Sequence, residues 1–341
     1  MIYSLQRNRV YRSYHGGKHI DAFYGETHPA DGMFPEEWIA STVTAFNVGR
    51  EHICEGLSRL EDGRTLKELI DREPERLLGR EQAAQFGGKM PILVKLLDSA
   101  ERLFIQCHPT VPFAKKYFSS PFGKTECWYI LATEPGAAVY LGFREGVTRE
   151  KWEDCFTRQD TEGMLAMLHR IPVQAGDTVM VEGGVPHAIG AGCLLCELQE
   201  PTDLMVIPER QSASGVILSD LKMHGGLGFG RMFDCFTYTG LSEQELRARY
   251  IRHIRPAENA VTHPIDRDLT DRFAMDRIDL NGGTVTTSYD SFCVALVLEG
   301  ECTLKAEDCA LTAKKGAQLF IGADSGAVSW TGNAAVLVCR P

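Results

Sequence analysis

The middle of the chain alternates short apolar runs with turn residues, a pattern typical of β-strands. The runs are bounded by Pro, Asp or Gly and cover residues 91–97, 103–108, 126–131, 178–181 and 193–198. Between about residues 147 and 170 the spacing of apolar residues is instead helical. This middle region is therefore predicted to be mainly β, with a helical insertion.

Signals for helix starts lie on either side of this region. Thr65 with Glu68, and Ser242 with Glu245, each match the capping-box pattern at the beginning of a helix. The segment 35–38 has a proline followed by two glutamates and a tryptophan, and it also predicts a helix start. Helices are therefore expected on both sides of the strands.

The last 80 residues show a different pattern. Short apolar runs are separated by Gly- and Asp-rich turns, and they cover residues 284–287, 293–298, 302–306, 317–321 and 334–339. This spacing favours an all-β sandwich or barrel. The predicted domains are residues 1–257, with helical insertions at about 50–90, 147–170 and 215–256, and residues 262–341.

Composition narrows the class of protein. The 341 residues are 44% hydrophobic and 24% charged, as in ordinary globular proteins. No apolar stretch approaches the roughly 20 residues of a membrane helix, and the N-terminus becomes polar too early for a secretion signal. A cytoplasmic protein without a membrane partner is expected. The 11 cysteines do not match a disulfide framework, so reduced thiols are expected.

The net charge bears on possible ligands. With 36 basic and 46 acidic residues the chain carries a net charge of −10, which argues against a nucleic-acid partner. An anionic small substrate would have to be attracted by a locally cationic pocket.

Four side chains suit a metal site. Gln106 and His108 are two apart on a predicted strand, so both emerge on the same face. Glu126 begins another predicted strand, and His187 follows a glycine-rich turn. Two imidazoles, a carboxylate and an amide form a ligand set suited to zinc with room for substrate. Spacing alone also allows polar residues on the solvent face of a sheet.

Longer motifs make the sequence similar to a known family. The segment Gly-Lys-Thr-Glu-Cys-Trp-Tyr at 123–129 is the most specific. Others match in consistent order at residues 35–39, 56–60, 93–98, 105–109, 186–190 and 197–203. The chain resembles the type I mannose-6-phosphate isomerases (phosphomannose isomerases) in their bacterial short form, which belong to the cupin superfamily.

The resemblance implies a fold and a function. The fold would be mainly β with helical insertions: a cupin (double-stranded β-helix, jelly-roll) catalytic domain and a degenerate, metal-free C-terminal cupin-like β domain. The activity would be zinc-dependent interconversion of mannose 6-phosphate and fructose 6-phosphate through a cis-enediol. One Zn²⁺ per chain, a small sugar phosphate as partner, and a monomer or weak homo-oligomer are expected.

The resemblance also assigns residues. The zinc ligands would be those four side chains, Gln106, His108, Glu126 and His187. Lys95 and Lys124 match active-site lysines. Lys95 is expected to contact the substrate, or else to be an ordinary lysine that extends its ammonium group to solvent, and Lys124 is expected to give electrostatic help. Asp203 matches an acidic residue and is a second expected substrate contact. Glu197, another matched acidic residue, is the candidate base, and a zinc-bound water is the alternative base. Glu197 could instead form a salt bridge across the sheet.

One position departs from the family. An arginine usually lies four residues after the aspartate matched by Asp203, but Ile207 is found there. Either Arg210 replaces that arginine as a catalytic cation, or the pocket has lost a cation. The second case leaves open a cupin isomerase of another or unphosphorylated sugar, or a non-catalytic sugar- or metal-binding cupin.

Overall fold

The computed structural model describes residues 1–47, 49–307 and 309–341. Its helices are α1 (Lys18–Phe23), α2 (Leu66–Arg72), α3 (Pro74–Leu78), α4 (Arg80–Phe86), α5 (Val111–Tyr117), α6 (Arg149–Arg158), α7 (Thr161–Ala166), α8 (Asp220–His224), α9 (Phe229–Met232) and α10 (Glu243–Tyr250).

The strands carry most of the regular structure. They are β1 (Ile2–Leu5), β2 (Arg9–Val10), β3 (Glu36–Ile39), β4 (Leu93–Ser99), β5 (Glu126–Thr133), β6 (Ala138–Phe143), β7 (Leu168–Pro172), β8 (Asp177–Val181), β9 (His187–Ile189), β10 (Cys193–Gln199), β11 (Ile251–His253), β12 (Ala260–Ile265), β13 (Ala274–Thr287), β14 (Cys293–Ala306), β15 (Cys309–Lys314), β16 (Gln318–Ile321) and β17 (Val328–Arg340).

Two antiparallel sheets build the N-terminal part. The N-terminal sheet has the order β11-β8-β5-β10-β4-β3-β2, and a small sheet has the order β7-β6-β9. Strands β4, β8 and β10 are buried along their whole length. Apolar residues of both sheets, such as Trp128 on β5 and Ile189 on β9, belong to one core. Strand β5 is thus an interior strand of its sheet, between β8 and β10, and the small sheet packs nearby.

The C-terminal sheet has the order β1-β16-β14-β17-β13-β12, with β15 paired to β14. Strand β1 therefore lies in the sheet of the second predicted domain, paired in register with β16. The core is also continuous across the two parts, since Trp128 and Cys196 share a cluster with Phe292 and Phe320. The two sequence regions thus fold with a common interior.

The expectation of short C-terminal strands is confirmed at 317–321, where β16 has four residues, but it is wrong for three other strands. Strands β13, β14 and β17 run for 14, 14 and 13 residues. The predicted turn between 298 and 302 lies within a strand: Gly300 adopts a left-handed φ of 70° inside β14, near a register shift. Glycine in a strand often marks a bulge or a close backbone approach, and a bulge bends the strand without ending it.

Other local predictions have mixed outcomes. Both capping boxes are present, at the beginnings of α2 and α10. The predicted helix at 35–38 is wrong, because those residues lead into β3, which pairs with β2 and β4. The predicted strand at 103–108 is reduced to isolated bridges at Gln106 and Cys107. Tertiary pairing decided both cases, which local propensity cannot anticipate.

The fold class matches the expectation, being mainly β with helices inserted between strands. None of the helices within the described ranges is long and apolar enough to cross a membrane.

A close backbone contact near β4 gives a test of this packing. Gly16 and Gly32 exchange backbone hydrogen bonds of 3.0 and 2.9 Å. A Cβ on Gly16 would lie 1.9 Å from the carbonyl oxygen of Asp98, whereas a Cβ on Gly32 would meet nothing within 4 Å. We expect Gly16→Ala to lower the free energy of unfolding by about 3 kcal/mol, measured by urea denaturation.

Gly32→Ala is the matched control and should change the free energy of unfolding by less than about 1 kcal/mol. Equal stability of the two variants would contradict the described contact between Gly16 and β4.

Candidate metal centre and adjoining cavity

The two predicted histidines lie side by side in the interior. His187 begins β9, and its backbone exchanges two hydrogen bonds of 2.9 Å with the backbone of Gln106. His108 lies two residues after Gln106, and its ring centroid is 4.7 Å from that of His187. Both histidines are completely buried. The short antiparallel bridge therefore joins segments that are distant in sequence.

Each histidine is oriented by a backbone carbonyl. Nδ1 of His108 is 2.9 Å from the carbonyl oxygen of Leu204, and Nδ1 of His187 is 2.9 Å from that of Val185. A proton on each Nδ1 leaves Nε2 as a lone-pair donor. Burial, with Lys124 nearby, lowers the pKa of His108 to about 4, and burial also lowers the pKa of His187. Both rings are therefore neutral near pH 7.

Glu126 completes the cluster from the first position of β5. Its Oε2 lies 3.1 Å from Nε2 of His108, and its Oε1 lies 3.4 Å from Nε2 of His187. Oε1 also accepts a hydrogen bond from Nε1 of Trp128 at 3.1 Å. Burial raises the pKa of Glu126, but the charge of Lys124 outweighs it and holds the pKa well below its usual value. The buried carboxylate is therefore ionised.

Lys124 lies against the same donor atoms. Its Nζ is 2.7 Å from Nε2 of His108 and also donates to Oε2 of Glu126. Lys124 lies two residues before Glu126, the first residue of β5, and its side chain extends to the same side of the chain. The lysine thus places a positive charge beside the cluster.

The donor set fits a divalent cation. The ligand atoms of His108, Glu126 and His187 all lie within 4.8 Å of one another. Nε2 of His187 is buried and has no hydrogen-bond partner among the described residues. An unpartnered buried lone pair is costly unless a ligand uses it. Two imidazoles and a carboxylate are also the donors typical of a catalytic zinc site.

A cavity of about 320 Å³ adjoins this cluster, which is within the usual size range for small-molecule sites. Gln106 and Lys124 form part of its wall. Farther along, its charged lining residues are Arg12, Glu36, Lys95, Glu197 and Lys222. Four of the six charged lining residues are cations, although the whole chain has a net charge of −10.

Lys95 and Glu197 are directly paired across strands β4 and β10. Nζ of Lys95 donates to Oε1 of Glu197 at 2.9 Å, and Nε1 of Trp128 is 3.2 Å from the other carboxylate oxygen. The cross-sheet salt bridge considered for Glu197 is therefore present. Both partners also line the cavity, so the salt bridge and a role at the site are compatible.

Asp203 lies behind the cavity wall and does not line it. Its carboxylate accepts two hydrogen bonds, of 3.0 and 2.8 Å, from the guanidinium of Arg12. Nε of Arg12 also donates to Glu36 at 3.1 Å. Sequence reasoning missed Arg12 and Glu36. Arg12 is 24 positions from Glu36 and 191 positions from Asp203, so no local spacing in the sequence connects these residues.

The structure brings Ile207, but not Arg210, to the cavity. Ile207 is buried and contributes to the wall. Arg210 instead forms a salt bridge of 2.7 Å with Asp220, and its side chain is 37% exposed. Its guanidinium therefore does not take the place of the arginine expected at residue 207.

Comparisons with known proteins agree with this architecture. Residues 18–133 match the model for the catalytic domain of type I phosphomannose isomerase. Residues 267–341 match that for the cupin domain of mannose-6-phosphate isomerase. The mannose-6-phosphate isomerase of Streptococcus mutans is 29% identical over 197 residues. That match covers 58% of this chain and 57% of the relative, so it spans little more than half of each protein.

Solved structures share the fold over the whole chain. The mannose 6-phosphate isomerase of Bacillus subtilis has a TM-score of 0.77 at 22% identity, covering 100% of this chain and 99% of that one. A mannose 6-phosphate isomerase bound with zinc and yttrium has a TM-score of 0.75 at 17% identity, with 99% of each chain covered.

The fold and the buried cluster define a cupin with a candidate metal centre beside a cationic cavity. Within that class, the chain is similar to the type I mannose-6-phosphate isomerases, whose catalytic-domain and cupin-domain models match residues 18–133 and 267–341.

The ion pair behind the cavity gives a prediction for stability and pH. Asp203→Asn removes one partner of a buried pair, so we expect the free energy of unfolding at pH 7 to fall by about 3 kcal/mol. Burial raises the pKa of Asp203, but Arg12 outweighs it and holds that pKa well below its ordinary value of 3.8. The contribution is therefore full above pH 4 and is lost as pH falls below it.

Urea unfolding of the wild type and Asp203→Asn at pH 7, 4 and 3 measures this difference, which should narrow only at the lowest pH. Asp220→Asn removes the exposed partner of Arg210 and should cost less than about 1 kcal/mol. A constant difference for Asp203→Asn from pH 7 to 3 would contradict the prediction.

Proposed function

We propose that this protein is a zinc-dependent aldose–ketose isomerase that interconverts mannose 6-phosphate and fructose 6-phosphate. The observation that carries the proposal is the buried cluster of His108, Glu126 and His187, which adjoins a cavity with a mainly cationic wall. The two matching family models support the substrate class, and a zinc-bound protein of the same fold supports the metal.

The ligands in this proposal are His108, Glu126, His187 and Gln106, holding one Zn²⁺ per chain. Gln106 is included because its backbone pairs with His187 and its side chain lines the cavity beside the cluster. A divalent ion held there would supply Lewis-acid stabilisation of negative charge on the sugar oxygens.

Residues of the chain would transfer the proton and stabilise the negative charge of the enediolate. Isomerisation transfers a proton between C2 and C1 through a cis-enediol, so a base must lie beside the substrate. Glu197 is our candidate because it is a buried carboxylate on the cavity wall, and Lys95 and Trp128 fix both of its oxygens. Lys124 would stabilise the developing enediolate, since its ammonium group lies at the edge of the cluster.

The metal part of the proposal is tested by His187→Ala. Loss of this buried imidazole should lower the zinc content measured by mass spectrometry at least about tenfold. It should also abolish the fall in melting temperature that a chelator causes in the wild type, because metal binding stabilises the folded state.

His169→Ala is the matched control, since His169 is also buried but bonds the carbonyl oxygen of Leu241, away from the cluster. It should keep one zinc per chain. Full zinc content in His187→Ala would contradict the proposed ligand set.

The activity is tested by following the conversion of mannose 6-phosphate to fructose 6-phosphate in a coupled assay. We expect turnover by the zinc-loaded wild type, and Glu197→Gln should lower kcat by about 100-fold or more because the base is lost. The zinc content of that variant should remain at one per chain.

Glu182→Gln alters an exposed carboxylate bonded to Arg249 and serves as the control, with unchanged kcat. Turnover of free mannose but not of its phosphate would replace the proposed substrate. Zinc without turnover of either sugar would identify a binding cupin instead.

A further inference from the structure

The cations of the cavity wall differ in how their charges are compensated. Arg12 is paired with Asp203 and Glu36, Lys95 with Glu197, and Lys124 with Glu126. Lys222 is the exception, since it has no carboxylate oxygen within 4.0 Å in the part of the chain that the structure describes.

Lys222 lies on α8 and is only partly exposed. Its Nζ donates a weak hydrogen bond of 3.4 Å to the carbonyl oxygen of Phe46 and lies 5.2 Å from the centre of that ring. Burial lowers the pKa of Lys222, and the charge of Asp203, which lies beyond salt-bridge distance, opposes this effect only in part. Such a cation gains more from an anionic ligand than one already paired.

Ile207 helps to hold α8 in this position. Its backbone N–H donates to the carbonyl oxygen of Met223 at 2.8 Å, and its side chain packs with Met223 and Leu218 in one small buried cluster. Lys222 immediately precedes Met223 in the chain. The isoleucine that removes an expected arginine therefore anchors the helix that brings a lysine to the same cavity.

Lys222 and its surroundings suit an anionic ligand. The lining has two more cations than anions, but Asp203 and Glu126 offset the charges of Arg12 and Lys124 from outside the lining, which leaves Lys222 as the cation without a close anionic partner among the described residues. Ser219, which caps α8, adds a hydroxyl to the wall near Lys222. A phosphate monoester carries a charge of about −1.5 to −2 at neutral pH and three strong acceptor oxygens. An ammonium group is a compact donor that suits such oxygens.

We propose that Lys222 forms the subsite for the phosphoryl group of the substrate and supplies the cation that Ile207 cannot. This inference rests on the proposed function for the identity of the sugar, but the subsite itself can be measured without turnover. Lys222 acts on binding and selects phosphorylated over free sugars.

Mannitol 6-phosphate is a suitable probe, because it carries the phosphoryl group but has no carbonyl to isomerise. Calorimetric titration of the zinc-loaded protein should give an affinity about tenfold weaker for Lys222→Met than for the wild type, since a charged hydrogen bond is lost. Lys222→Arg should keep most of the affinity, and Lys115→Met, an exposed lysine of α5, should keep all of it.

Kinetics provide the second measurement. Lys222→Met should raise KM for mannose 6-phosphate about tenfold while kcat changes by less than about twofold. Unchanged mannitol 6-phosphate affinity in Lys222→Met, or no binding by the wild type, would overturn the subsite. Binding that depends on Lys222 without any isomerisation would support the subsite and refute the proposed function.

Discussion

The site depends on the convergence of two imidazole nitrogens and a carboxylate in a fully buried space. Nδ1 of each histidine is hydrogen-bonded to a backbone carbonyl oxygen, and Nε2 of each ring therefore points towards Glu126. This arrangement is costly without a further ligand, because Nε2 of His187 has no partner among the described residues. The stability of the surrounding β-structure must therefore keep these groups in place. The two backbone hydrogen bonds between Gln106 and His187 contribute directly, because they join the segments that carry the two histidines.

Charge compensation extends from the cluster to the far wall of the cavity. Nε1 of Trp128 lies within 3.2 Å of both Glu126 and Glu197, and Glu197 is bonded to Lys95. Lys95 is also 3.9 Å from Glu36, which Arg12 binds in turn. These groups are buried, and each has a partner of opposite charge or a donor, as buried charges require. A change at one end of this network therefore alters the electrostatic environment at the other.

The fold class and the main site residues were predictable because their signals are local. Glu126 and Lys124 share a face through a spacing of two, and the motif at 123–129 is specific. Arg12 and Glu36 carried no such signal, since their roles arise only when residue 12 meets residue 203 in space. The strand at Glu36 was likewise hidden by Pro35, whose local preference yields to pairing with β4. At Gly300 the sequence predicted a turn where the structure has a strand, because a glycine in a bent strand cannot be distinguished from a turn glycine by composition.

Ile207, which stands where the resembled family has an arginine, shows that a sequence motif can lose a charge that the cavity still receives from another segment. A charge acts through its position in the cavity, so a side chain from another segment can supply it if the backbone brings that segment near. The hydrogen bond and apolar contacts between Ile207 and Met223 meet this condition for Lys222. The two cations differ in one respect: a guanidinium binds oxygens in a fixed fork, whereas an ammonium is a point charge. A subsite built on Lys222 would therefore fix the charge of its ligand more strictly than the ligand's orientation.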